Sequence, residues 1–207
     1  MKKTIIFDLD GTLVDIEPLF LKITNTLAAE FGFTPLLPEE LPGLKQFHLK
    51  EFAWKRLGWR IIFLPRILSR GREEYKKRVS EVALFSGILE LLEGLRKKGY
   101  RLGIVSSSRR DTIEALVRHH SLPVDFIASG KLFNKARSLR ETLAQQHITL
   151  AETIYVGDEV RDIEACQKVG LDIISVTWGL NTKEALKKMN ALTVDTREEL
   201  LEKILAA

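Results

Sequence analysis

Asp8 and Asp10 stand two residues apart in Phe7-Asp8-Leu9-Asp10-Gly11-Thr12, directly after the apolar run Thr4-Ile5-Ile6-Phe7. The run reads as a short buried strand, and open α/β sheets place their ligands at the carboxyl ends of strands. Strand side chains alternate faces, but a chain that leaves the strand can turn both carboxylates toward one cleft. Gly11 permits the sharp turn this needs. Such a pair can divide labour, one carboxylate as nucleophile and metal ligand, the other as general acid and base. A polar strand end capping a turn would explain a bare D-x-D. The full D-x-D-G-T after a hydrophobic strand is far more specific.

Two further segments carry chemistry at equivalent places. Leu102-Gly103-Ile104-Val105 leads into Ser106-Ser107-Ser108, so a strand ends in hydroxyls. Ser106 at the sheet edge, with nearby backbone N–H groups, can hold a phosphoryl oxygen. For Ser107 and Ser108 the plain alternative is capping of the next helix. Val156-Gly157-Asp158-Glu159-Val160-Arg161-Asp162 again runs a strand into a helix. Asp158 falls at the strand end and Asp162 one helical turn later, so both can face one point. Oxygen ligands of this kind suit Mg²⁺, which takes one or two carboxylates and keeps several waters. N-capping is the plain alternative for Asp158, and Glu159 suits the positive end of the helix dipole.

Together these segments resemble the ordered motifs of the haloacid dehalogenase superfamily of phosphohydrolases, and the resemblance covers essentially the whole chain. D-x-D-G-T resembles its motif I, Ser106 its motif II and G-D-x-x-x-D its motif IV. The resemblance implies a motif III lysine, for which Lys135 in Phe133-Asn134-Lys135-Ala136 fits the spacing better and Lys131 in Gly130-Lys131-Leu132 is the alternate. It implies an aspartyl-phosphate mechanism in which Asp8 is the nucleophile and Asp10 the acid and base. Ser106, Ser107 and Lys135 then bind the substrate, with Ser106 and Lys135 stabilising the transferring phosphoryl group. Asp8, Asp158 and the backbone carbonyl of Asp10 would hold Mg²⁺, with Asp162 as a further ligand or an orienting group. The acid at position 10 argues against dehalogenase and phosphonate-hydrolase chemistry. Thr12 favours a phosphatase, most like the phosphoglycolate-phosphatase branch, over a sugar-phosphate mutase. Ser107 in place of asparagine and Leu132 in place of proline depart from the branch's pattern and weaken inference about the substrate. A binding or regulatory protein that has kept the fold is the rival of another class. Its expected mark, loss of a carboxylate or of the lysine, is absent.

Strands are expected at Thr4–Leu9, Arg101–Ser106, Phe126–Ala128, Thr153–Val156 and Asp172–Val176, with helical patterns at Gly87–Lys98, Asp111–His120, Lys135–Gln146 and Val160–Val169. This alternation predicts βαβ units and an α/β, Rossmann-like parallel sheet with helices on both faces. Thr196-Arg197-Glu198-Glu199 has capping-box spacing ahead of a last helix. About ninety residues separate the first two strands, far more than an ordinary crossover. Pro18–Phe31, Leu44–Leu57 and Pro65–Leu84 read as helices within them. The expected division is a core of residues 1–15 and 86–207 with a small α-helical cap, the C1 cap of the superfamily, at 16–85. Lys45, Lys50, Arg60, Arg66, Arg70, Arg72, Trp54 and Trp59 are the cap's candidates for selecting a substrate.

Of the 207 residues, 45% are hydrophobic and 29% charged, ordinary for a globular domain. Lys and Arg number 32 against 28 Asp and Glu, for a net charge of +4. That surplus helps attract an anionic metabolite and is too mild for nucleic-acid binding. No apolar run nears the roughly 20 residues of a membrane span, and a strand beginning at Thr4 leaves no room for a signal peptide. The single Cys166 excludes an internal disulfide and fits a reducing cytoplasm. The expected partner is a small phosphorylated metabolite, and the expected state a monomer or homodimer.

Overall fold

The computed structural model describes residues 2–44, 54–130 and 134–207. Six strands form one sheet in the order β5-β4-β1-β6-β7-β8. They are β1 (Thr4–Phe7), β4 (Arg101–Ser106), β5 (Phe126–Ser129), β6 (Thr153–Gly157), β7 (Asp172–Val176) and β8 (Leu192–Val194). Every pairing is parallel. The chain runs from β1 outward through β4 to β5, then crosses back to build β6, β7 and β8 on the other side of β1. The strand order therefore reverses around β1, which opens a crevice at its carboxyl end.

Period-two alternation along β1 places Ile5 and Phe7 in one core and Ile6 in another. Ile5 and Phe7 pack with Ile88, Leu92 and Leu95 of α3 (Ile88–Lys97), Ile113 and Leu116 of α4 (Arg110–His119), and Leu200 and Ile204 of α8 (Arg197–Ala206). Ile6 packs with Leu139 and Leu143 of α5 (Lys135–Gln145) and Ala165 and Cys166 of α6 (Val160–Val169). Two apolar faces explain why the central strands read as unbroken hydrophobic runs. Cys166 is a free, buried thiol in this second core.

Among the described residues, the long segment between β1 and β4 is mostly helical. It starts and finishes at a two-residue antiparallel ribbon of β2 (Val14–Asp15) and β3 (Ala83–Leu84). Within it α1 (Glu17–Phe31) packs Leu19, Ile23, Leu27 and Ala28 toward α2 (Leu64–Lys77), which contributes Ile67. Asn25 clips the following loop by exchanging hydrogen bonds with the backbone of Leu36 at 2.7 and 2.9 Å.

The expected helix Pro65–Leu84 is shorter in the structure. It ends at Lys77, followed by a 3-10 turn at Val79–Glu81 and then β3. The N–H of Phe85 donates to the carbonyl of Leu13 at 3.1 Å, so pairing with the β2 segment claims residues that helical periodicity would otherwise extend. Most of the expected helix Leu44–Leu57, with Lys45 and Lys50, lies outside the described residues. α7 (Lys183–Lys188) and β8 are additions to the sequence reading.

Candidate active site

β4, β1 and β6 lie side by side, and their carboxyl ends bring Ser106, Asp8 and Asp158 to one edge. The backbone N–H of Asp8 still donates to Val156 at 2.8 Å, so the carboxylate is seated where the ladder ends. Beyond it the chain curls on itself. N–H groups of Leu13 and Val14 converge on the carbonyl of Leu9 at 2.9 and 3.0 Å, and that of Gly11 on Val14 at 2.9 Å. Gly11 has φ +84°, and a Cβ there would lie 2.2 Å from Asp158 Oδ2. Only glycine satisfies both the conformation and the contact.

Asp158 is fully buried. Its Oδ1 accepts from the Thr12 hydroxyl and its Oδ2 from the N–H of Leu180, each at 2.7 Å. The loop after β7 completes this seat. Asn181 Oδ1 accepts from the N–H of Val160 at 2.9 Å, and Trp178 Nε1 donates to the carbonyl of Thr12 at 3.1 Å. Glu159, not Asp158, caps α6, in a capping box with Asp162, whose Oδ2 accepts from the N–H of Glu159 at 3.2 Å. Capping therefore does not account for Asp158. Arg161 folds back onto Glu159 in a two-pronged ion pair, both contacts at 2.6 Å.

Lys135, the first residue of α5, brings its ammonium 2.8 Å from Asp8 Oδ2 and also pairs with Asp162 Oδ1. It lies 5.3 Å from the ring centroid of buried Tyr155. Lys131 lies outside the described residues. Oxygens of Asp8, Asp158 and Asp162 lie within 4.8 Å of one another. Burial raises Asp8 to about 7, opposed by the charge of Lys135 and reinforced by that of Asp162. Burial also lifts Asp158 well above the ordinary carboxylate range, helped by the charges of Glu159, Asp8 and Asp162. For Lys135, burial alone would depress the ammonium. The charges of Asp162 and Asp8 more than offset it and hold the group above the ordinary lysine range.

Asp10 is set differently. Its Oδ1 accepts from the hydroxyl of Tyr75 on α2, and its Oδ2 from the hydroxyl of Ser108 at 2.6 Å. Its side chain is therefore held by hydroxyls rather than grouped with the three clustered carboxylates. Burial raises its pKa against the lowering effect of the Ser108 and Tyr75 hydrogen bonds. Ser106 is buried, its Oγ accepting from the N–H of Ser108 at 3.1 Å and its carbonyl from that of Gly130 at 2.7 Å. Ser107 follows it, half-buried.

Ser108, Tyr75, Leu180 and Asn181 are candidate site residues that the sequence reading did not assign, whereas Trp178-Gly179, after the last expected strand, read as bordering the cleft or packing in the core. Ser108 was legible only as a helix cap. Tyr75 lay hidden in the charged run Arg72-Glu73-Glu74-Tyr75-Lys76-Lys77, where a lone aromatic hydroxyl was the available signal. The Leu180 contact is made by backbone and leaves no trace in side-chain type.

A parallel sheet that gathers carboxylates and a lysine at its topological switch defines an α/β enzyme built to handle an anionic group. The chain belongs to the haloacid dehalogenase-like hydrolases, whose family model matches residues 5–176. A phosphoglycolate phosphatase from Synechococcus elongatus is 35% identical over 187 residues, covering 89% of this chain and 88% of that one. The crystal structure of a predicted phosphatase from Clostridium acetobutylicum superposes with a TM-score of 0.88 at 24% identity, over the full length of both chains. A haloacid dehalogenase-like hydrolase from Streptococcus pneumoniae gives 0.84 at 23%, over 98% of each. The chain is accordingly an enzyme of the phosphatase kind. Among the described residues no helix is long and apolar enough to cross a membrane.

Proposed function

We propose that the protein hydrolyses small phosphate monoesters through a phosphorylated Asp8, with a divalent cation, Mg²⁺, as cofactor. The observation that carries this is the placement of Asp8 at the end of the central strand, with the Lys135 ammonium at 2.8 Å and Asp158 and Asp162 beside it. An Asp8 oxygen bonds to phosphorus as the bond from phosphorus to the ester oxygen breaks. The electron pair stays on that oxygen, which takes a proton from Asp10. Asp10 then removes a proton from the water that hydrolyses the acyl phosphate and so recovers it. Ser106, Ser107 and Lys135 hold the phosphoryl oxygens, since positioning and electrostatics dominate this chemistry.

The residues present fit a hard cation. Among the described residues, three buried carboxylates share the single ammonium of Lys135 and offer an all-oxygen donor set. Asp8, Asp158 and the carbonyl of Asp10, with Asp162 as a further or orienting ligand, would hold it, and its charge would offset that of the phosphate. The segment 16–85 acts as the cap that closes over this edge. The name of the Synechococcus relative makes phosphoglycolate the first ester to try.

The test is phosphate release from a panel of small esters, with and without Mg²⁺, by wild type and Asp8→Asn. Metal-dependent release that the variant lacks is expected. Release by Asp8→Asn at the wild-type rate would remove the nucleophile assignment. Isomerisation of a hexose 1-phosphate without phosphate release would indicate a mutase.

A further inference from the structure

Tyr75 connects two parts of the molecule that the chain separates widely. It sits on α2, inside the helical insertion, and its hydroxyl donates to Oδ1 of Asp10, 65 residues away. Asp10 already has one partner from the core, since Ser108 donates to Oδ2 at 2.6 Å. Ser108 is itself fixed, its N–H on Ser106 Oγ at 3.1 Å and its carbonyl accepting from the Ser129 hydroxyl at 2.6 Å. With Ser108 alone, the carboxyl group is tethered at one oxygen and free to rotate about its χ2. The second tether sets the plane of the group. It comes from the insertion, so it exists only while α2 lies against the core.

The neighbouring residue shows that this end of α2 is seated. Lys76 pairs with Asp111 of α4 at 2.8 Å, a bridge between exposed side chains. Tyr75 is instead partly buried and packs against the main apolar cluster. Its ring supplies contact area and its hydroxyl a directed bond, and the two can be separated by one atom.

We infer that Tyr75 is a positioning residue for the acid step, aiming the Asp10 carboxyl group at the ester oxygen only when the insertion is docked. The inference rests on the phosphatase reading. In that step the bond from phosphorus to the ester oxygen breaks, the pair stays on oxygen, and the proton of Asp10 moves to it. Misaimed, Asp10 costs most where the leaving oxygen is a poor leaving group and least where the leaving group departs unprotonated. Tyr75 thus makes docking of the insertion a condition for acting on alkyl phosphates.

The experiment compares kcat/KM of wild type, Tyr75→Phe and Lys76→Ala on phosphoglycolate and on 4-nitrophenyl phosphate, whose phenolate leaves without a proton. For Tyr75→Phe the alkyl ester is expected to lose about tenfold or more and the nitrophenyl ester no more than about threefold, within what acid catalysis supplies. Lys76→Ala weakens the seating of α2 on which the Tyr75 contact depends, so whatever loss it causes should be biased the same way, heavier on phosphoglycolate than on the nitrophenyl ester. Equal losses for Tyr75→Phe, or none on either ester, would overturn the inference. So would a loss in Lys76→Ala that falls equally on the two esters, because undocking α2 would then not act through the aim of Asp10. If wild type releases phosphate from neither ester, the phosphatase reading fails first and this inference falls with it.

Discussion

The sheet edge and the helical insertion hold their polar groups in opposite ways. At the edge, Asp8, Asp158 and the side chain of Lys135 are buried, and each is held by strand ends, helix starts or backbone N–H groups. In the insertion, Trp54, Trp59 and Ile62 are each about two-thirds exposed, and Arg60 stacks on Trp59 with 4.8 Å from its guanidinium carbon to the ring centroid. Arg70 spends its charge on Glu30, Glu73 and Glu74 of the insertion itself. Burial makes the edge a place where charge is expensive and therefore organised. Apart from buried Glu74, the insertion carries these charges at or near the surface, where single ion pairs contribute little. On the proposed function, the chemistry common to all substrates would belong to the first region, and choice among substrates to the second.

The largest expected effect breaks the edge outright. Lys135→Met leaves Asp8 and Asp162 buried without their shared cation, a loss of about 3–5 kcal/mol in cation-free protein by the usual cost of orphaning one side of a buried pair. Turnover should fall by several orders of magnitude on every ester, and urea unfolding without Mg²⁺ measures the stability loss. An unchanged unfolding midpoint would mean that the carboxylates simply protonate. Gly11→Ala comes next. Its Cβ would meet Asp158 Oδ2 at 2.2 Å and force a residue with φ +84°. Calorimetric Mg²⁺ affinity should drop at least tenfold, and wild-type affinity would refute the geometry.

A third prediction concerns protons. Asp8 titrates near 7 and Asp158 is raised as well, both by burial, so the folded state binds more protons than the unfolded one through the acidic range. Where the folded state binds more, stability falls as pH rises. A cation must displace those protons. The rise in Tm on adding Mg²⁺ should therefore grow from pH 5 to pH 8. A gain independent of pH would show that the acids are ionised throughout. In the insertion, by contrast, Trp59→Ala should shift stability by no more than about 0.5 kcal/mol, as for other exposed positions. Its effect should appear, if anywhere, in the ranking of esters.

The contrast also explains how much could be read from the chain. Ile5, Ile6 and Phe7 announce β1 because both faces of the central strand are covered, and Leu139 and Leu143 announce α5 by helical spacing. Asp8, Asp10 and Asp158 are legible because the strand ends before them are. β2 and β3 were not, since two residues paired across the whole insertion leave no periodicity. β8 is an edge strand with Leu192 about half exposed, so its alternation is incomplete. Tyr75 and Ser108 act through partners far away in the chain, and their local surroundings fit a solvated helix face and a helix cap equally well.

The smallest effect sits on the seam between the two regions and has the opposite sign in pH. His120, just after α4, hydrogen-bonds through Nε2 to the carbonyl of Val82 at 2.9 Å, next to the ribbon that joins the insertion to the core. Burial lowers its pKa below the usual 6.5, more than the Val82 contact raises it, and the charge of His119 lowers it further. The unfolded chain then binds the proton more readily, so this contribution is present above about pH 6.5 and is lost as pH falls through that value. The buried acids of the edge lose stability as pH rises, whereas the seam loses it as pH falls. Subtracting the Tm profile of His120→Gln, which keeps a donor for Val82, from that of wild type between pH 5 and 7.5 isolates the seam. The difference should shrink toward acid by a degree or two, the scale of a few tenths of a kcal/mol in a chain of this size. A difference that is flat across that range would place His120 in water and leave the ribbon, not the histidine, as what fixes the seam.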